Sequence, residues 1–151
     1  MQIHDPDFTS WCRAQRIAAI YRHGSSARGQ TRPDSDLDLA VLMEDPRPLK
    51  LSQETALAGS LEKKLRPLLD TRRELDIRFL GSAPPAFQYQ VIKCRALLWE
   101  GNPEMRVRFE QNLIREYMDF RYYEELYRQA FARRLKEGVF GRRPQIRSQT
   151  S

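Results

Sequence analysis

The chain has 151 residues, 40% hydrophobic and 30% charged, with a formal net charge of +6. That length suits one domain with a core of its own, and no apolar run approaches the ~18 residues of a membrane span. The positive balance fits nucleotide, RNA or an acidic protein partner and does not choose among them.

The charge is uneven: residues 1–100 hold 15 Lys/Arg against 13 Asp/Glu, residues 101–151 hold 11 against 7. The opening MQIHDPDF lacks the basic region and apolar stretch of an export signal. Cys12 and Cys94 are too few for a disulfide framework and read as buried or free thiols, so a cytoplasmic location is expected.

Asp5-Pro6-Asp7 supplies a helix start, with proline in the first turn and acids at the positive end of the dipole. Phe8, Trp11 and Cys12 then repeat at helical spacing. Ile17 to Tyr21 is a short apolar run expected as the first central strand, delivering Gly24 at its end. A polar loop through Pro33 follows, and a second strand is expected from Asp36 to Met43. Ser52 is expected to cap a helix whose Leu57, Leu61, Leu65 and Leu68 form one apolar stripe, ended or kinked near Arg66 by Pro67.

Glu74 to Leu80 alternates polar and apolar with period two. Leu75, Ile77 and Phe79 are expected to face the core, leaving Glu74, Asp76 and Arg78 on the other face. Pro84-Pro85 opens a short helix carrying Phe87, Val91 and Ile92, and Ala96 to Trp99 reads as an edge strand. Asn102-Pro103-Glu104 starts a helix that meets no breaker before Gly138. Residues 103–137 would span ~50 Å. Its Phe109, Leu113, Tyr117, Phe120, Tyr123, Tyr127 and Phe131 recur at three- and four-residue steps; part must cover the sheet, and the remainder is a core wedge or a docking surface. The expected organisation is a domain over 1–138 and a basic, flexible tail over 139–151.

The stretch His23 to Met43 carries the chemistry. In an extended strand alternate side chains share a face, so Asp36 and Asp38 project together while Leu37 and Leu39 point into a core. Two carboxylates on one face ask for a cation, and hard ions such as Mg²⁺ take oxygen ligands of this kind together with substrate phosphates. Gly24 admits a phosphate close to the backbone, and Ser25 adds donors. If the Glu74–Leu80 strand pairs beside the Asp36 strand, Asp76 lands next to both carboxylates; otherwise it is a solvated edge carboxylate balanced by Arg78. Arg28 is either a triphosphate contact or a solvated loop arginine.

Gly24-Ser25, ten residues, then Asp36-x-Asp38 resembles the signature of the polymerase-β-like nucleotidyltransferases. The fuller string, GSSARG followed by SDLDLAV, is similar to their smallest members, the minimal nucleotidyltransferases that act as antitoxins beside a HEPN-domain ribonuclease toxin. His23 and Ser26 depart from that pattern, where a bulky apolar residue and an arginine are more usual. The resemblance implies an α/β (α+β) polymerase-β-like fold: a small mixed sheet flanked by helices, with a long C-terminal helix. It implies catalytic and metal-binding roles for Asp36, Asp38 and Asp76, with two Mg²⁺ ions, and contacts to substrate ATP from Gly24, Ser25, Arg28 and Ser35. The implied reaction is transfer of AMP from ATP to a tyrosine hydroxyl of the toxin. The toxin would dock through the aromatic C-terminal helix and basic tail. A catalytically idle, toxin-binding antitoxin and a small-molecule or RNA nucleotidyltransferase stay open as alternatives. No RNA-binding motif stands out, and direct nucleic-acid binding is undecided.

Overall fold

The computed structural model describes residues 2–24, 36–69, 73–94 and 96–136. The chain divides into two compact units, Met1–Tyr117 and Met118–Ser151. Four strands, β1 (Ile17–Arg22), β2 (Leu37–Met43), β3 (Leu75–Phe79) and β4 (Ala96–Glu100), form one sheet in the order β3-β2-β1-β4. β1 runs antiparallel to both β2 and β4, whereas β2 and β3 are parallel. A parallel pair needs a crossover, and the helix of Leu51–Leu69 supplies it. The sheet is mixed, as expected, and β4 lies at an edge.

Each helix starts where local chemistry satisfies its first amides. In α1 (Pro6–Ala14) the Asp5 carboxylate accepts from the Phe8 N–H at 2.7 Å, with proline in the first helical turn. The second helix, α2 (Leu51–Leu69), departs from expectation at both ends. Ser52 is not its cap. The helix begins at Leu51, the Lys50 carbonyl accepts from the Glu54 N–H, and the Gln53 side chain reaches back to the Lys50 N–H at 3.1 Å. That return contact, in which the Gln53 side chain accepts from the N–H of the cap residue, is half of a capping box. Pro67 does not stop the helix at Arg66 either. It lies inside the helix, followed by helical Leu68 and Leu69, and its missing N–H forfeits one bond there.

A short turn of 3-10 helix, Leu80–Ser82, leads to α3 (Pro85–Cys94). The last helix, α4 (Pro103–Lys136), opens with the Asn102 side chain accepting from the Met105 N–H at 3.0 Å. Residue 137 and the tail 139–151 lie outside the described residues.

Two cores sandwich the sheet. On one face Phe8 and Cys12 of α1 and Leu61 and Leu65 of α2 meet Ile17, Ile20, Leu39, Val41, Phe79 and Trp99. On the other, Val91 and Ile92 of α3 and Leu113 of α4 meet Ala18, Tyr21, Ala40 and Leu42. The predicted leucine stripe of α2 therefore packs as read, with Leu57 and Leu68 at its margins. The Tyr21 hydroxyl donates to Glu110 at 2.8 Å, and Arg106 joins Glu110 to Glu100. These contacts fasten α4 to β1 and β4, and so fix the strand that delivers Gly24.

In the second unit the described residues, 118–136, are helical and bear a run of exposed apolar side chains, among them Phe120, Tyr123, Tyr127 and Phe131. Among the described residues no helix is long and apolar enough to cross a membrane.

Candidate active site

β1 ends at Arg22, but its pairing with β2 runs one residue further: the His23 N–H donates to the Asp38 carbonyl at 3.0 Å. This holds the next residue, Gly24, hard against β2. Gly24 has φ +68°, and a Cβ built there would fall on the Asp38 carboxylate oxygen Oδ2. Both the left-handed backbone and the close approach demand glycine.

Asp38 stands directly opposite Asp76 in the parallel β2–β3 register. Their neighbours Leu37, Leu39, Leu75 and Ile77 turn to the α1/α2 core, so the carboxylates face the α3 side. Like charges set directly opposite one another on adjacent strands destabilise a sheet. Both carboxylates also act on the His23 imidazole, which burial holds below its ordinary pKa, with Arg78 adding to that and the two acids opposing it.

Asp36 lies one residue outside β2 rather than within it, and is exposed. The pairing starts only at Leu37, whose N–H donates to the Glu74 carbonyl at 2.8 Å. Glu74, which the period-two pattern places on the Asp76 face, is likewise exposed and precedes β3. The structure thus brings Asp38 and Asp76 together beside Gly24, with Asp36 at the margin. Ser25, Arg28 and Ser35 lie outside the described residues.

Arg78, two residues on from Asp76, pairs with it: Nη2 and Nε approach Oδ2 at 3.0 and 3.1 Å. The same guanidinium lies 5.4 Å above the Phe87 ring, and Phe87 meets His23 edge-on at 5.1 Å. Phe87 reads from sequence as a core residue of a short helix. Nothing in its spacing reveals that it also packs against Arg78 and His23 beside the carboxylates; that follows from where α3 meets the end of the sheet.

Mg²⁺ is commonly held by one or two carboxylates plus substrate phosphates and water. The Asp38–Asp76 pair offers hard oxygen donors of that kind, and the missing side chain at Gly24 leaves Oδ2 of Asp38 approachable. Among the described residues no three His, Cys, Asp or Glu side chains are grouped so as to hold a metal ion. Two carboxylates in register are a donor set that an ion sharing its shell with a phosphate-bearing substrate would take.

A family model described as polymerase beta, nucleotidyltransferase matches residues 9–104, more than half of the chain and the whole of this site. The chain belongs to that family. It is a nucleotidyltransferase with the polymerase-β-like fold, and the small mixed sheet, flanking helices and long C-terminal helix that the resemblance implied are all present, the sheet having four strands.

Three solved structures resemble this nucleotidyltransferase in fold. A toxin–antitoxin crystal structure with AMP-PNP has a TM-score of 0.58 at 22% identity, covering 86% of this chain and 99% of that chain. A mutant MntA-HpeT toxin–antitoxin structure, with a tyrosine replaced by alanine, gives 0.57 at 23%, covering 87% and 99%. A structure from Shewanella oneidensis gives 0.52 at 20%, covering 85% and 99%. No curated protein matches the chain.

Proposed function

We propose that this nucleotidyltransferase is an antitoxin that transfers AMP from ATP to a tyrosine hydroxyl of a cognate HEPN ribonuclease toxin, in a Mg²⁺-dependent reaction that silences the toxin. The observation that carries the reading is the register of Asp38 against Asp76 beside a glycine that permits no side chain. The structural likeness to toxin–antitoxin complexes, one of them with AMP-PNP, supports both the partner and the nucleotide.

In this scheme Asp38 and Asp76, with Asp36 completing the set, would hold the metal by their carboxylate oxygens. When bound, Mg²⁺ supplies charge neutralisation for the triphosphate and a lowered pKa for the acceptor hydroxyl. Gly24 and Ser25 hold the outer phosphates, assisted by Ser35 and Arg28. The tyrosine oxygen attacks the α-phosphorus, the bond to the β-phosphate oxygen breaks, and pyrophosphate leaves. Asp76 takes the proton from the tyrosine hydroxyl. The exposed aromatic run of residues 118–136 and the basic tail are assigned to toxin binding.

The Asp76–Arg78 ion pair is the one observation that favours an idle, toxin-binding scaffold. Its side chains are 40% and 56% exposed, respectively, and exposed pairs contribute about 0–1 kcal/mol. So weak a pair would give way to a divalent ion held by Asp76. Mass spectrometry of the toxin after incubation with this chain, ATP and Mg²⁺ tests the reading. An AMP adduct on tyrosine is expected. An unmodified toxin that is nonetheless neutralised would establish the scaffold instead.

A further inference from the structure

β3 is the outer strand of the sheet on the side where the carboxylates lie. The Leu37 N–H bonds the Glu74 carbonyl, so by alternation residues 74, 76 and 78 turn their backbone groups toward β2. Leu75, Ile77 and Phe79 then turn theirs outward, and among the described residues no strand pairs with that edge. Along it runs a groove of about 660 Å³. Leu51, Thr55 and Ala58 of α2 form one wall, Pro84 and Phe87 the far end, and the Ser82 hydroxyl bonded to Glu54 ties the two together. Leu51 stands at the mouth 79% exposed, although it opens a helix.

The groove and the carboxylate site share two side chains. Arg78 and Phe87 line the groove, while Arg78 pairs with Asp76 and Phe87 packs on His23. What enters the groove is therefore led to the reacting carboxylates. The lining is mostly apolar, with Arg78 its one cation among the described residues and the Glu54 carboxylate against it, which disfavours a phosphate-rich occupant such as RNA. A row of outward backbone donors and acceptors above an apolar trough is what an added strand needs: main-chain bonds for affinity and a pocket for alternate side chains.

From this we infer that the acceptor is a polypeptide captured in extended form along the outer edge of β3, its apolar side chains in the groove and its hydroxyl-bearing residue at the Arg78–Phe87 end. The inference rests on the protein-acceptor reading above and adds where and in what conformation the acceptor binds.

The test uses the full chain, the purified cognate toxin and a short synthetic peptide spanning the toxin's acceptor tyrosine. Leu51→Asp and Thr55→Trp, both at exposed positions remote from the carboxylates, obstruct the groove. Expected are a rise of about tenfold or more in KM for toxin and peptide, little change in kcat, and an unchanged thermal shift with Mg²⁺ and ATP. Hydrogen exchange is expected to slow at the Ile77 and Phe79 amides when toxin or peptide is added. Wild-type KM in both variants, or edge amides that exchange equally with and without acceptor, would overturn the docking mode while leaving AMP transfer intact. A homodimer formed through β3, read by sedimentation and by protection of the same amides in the chain alone, would also overturn it. Should no AMP be transferred at all, protection of the edge by toxin still supports the docking mode, so the two readings fail separately.

Discussion

Gly24 and Asp38 are a pair in which one residue's lack of a side chain makes room for the other's carboxylate. Gly24→Ala would place a methyl group on Asp38 Oδ2 and force an L-residue to φ +68°. We expect it to fold with lowered stability, by roughly 1–2 kcal/mol, and to lose Mg²⁺-ATP binding, both readable by thermal melts. Asp38 and Asp76 are like charges set in register, an arrangement that weakens a sheet. Asp38→Asn should therefore raise the melting temperature of the metal-free protein. Adding Mg²⁺ and ATP should raise it for the wild type but not for the variant. The two cysteines separate by burial: Cys12 is fully buried and its thiol is pushed up to about 12, whereas Cys94 is half-buried. Alkylation at pH 8 should modify Cys94 in the folded protein and Cys12 only after unfolding, as peptide mapping would show.

Period-two and helical spacing made the strands and stripes legible in the sequence. Leu75, Ile77 and Phe79 alternate so regularly that the opposite face of β3 had to carry Asp76 and Arg78, as it does. Spacing could not decide whether β3 would lie beside β2, in parallel and with Asp76 level with Asp38; that depends on the α2 crossover packing its leucines on the far core. Nor could it separate Ser52 from Gln53 as the residue closing the α2 start, because both are competent side chains and only the helix register chooses. Pro67 does not end α2, because Leu68 and Leu69 stay helical beyond it and their packing against the core holds that turn. Core packing carries the stability of these elements. Trp99 is 2% exposed, stacks edge-on with Phe8 and donates to Thr9 at 3.1 Å. Trp99→Ala should cost about 3–5 kcal/mol in denaturant unfolding, with any fall in activity following the folded fraction.

Across the whole chain, the candidate carboxylates and the exposed aromatics occupy separate stretches of sequence. The carboxylates sit within residues 9–104, which the family model matches, and the exposed aromatics lie within 118–136. Truncating the chain after Tyr117, at the boundary between the two compact units, should leave Mg²⁺-ATP binding intact and weaken toxin binding in calorimetry. Retained toxin affinity would move the interface onto the first unit. The central claim is that Asp38 and Asp76 together drive nucleotidyl transfer to the toxin. The most direct measurement incubates wild type, Asp38→Asn and Asp76→Asn with α-labelled ATP, Mg²⁺ and the cognate toxin, each variant first shown to be folded. The account predicts label on the toxin with wild type, none after chelation of Mg²⁺, and a loss of about 10²–10⁴-fold in rate for each variant. Undiminished labelling by either variant would contradict it.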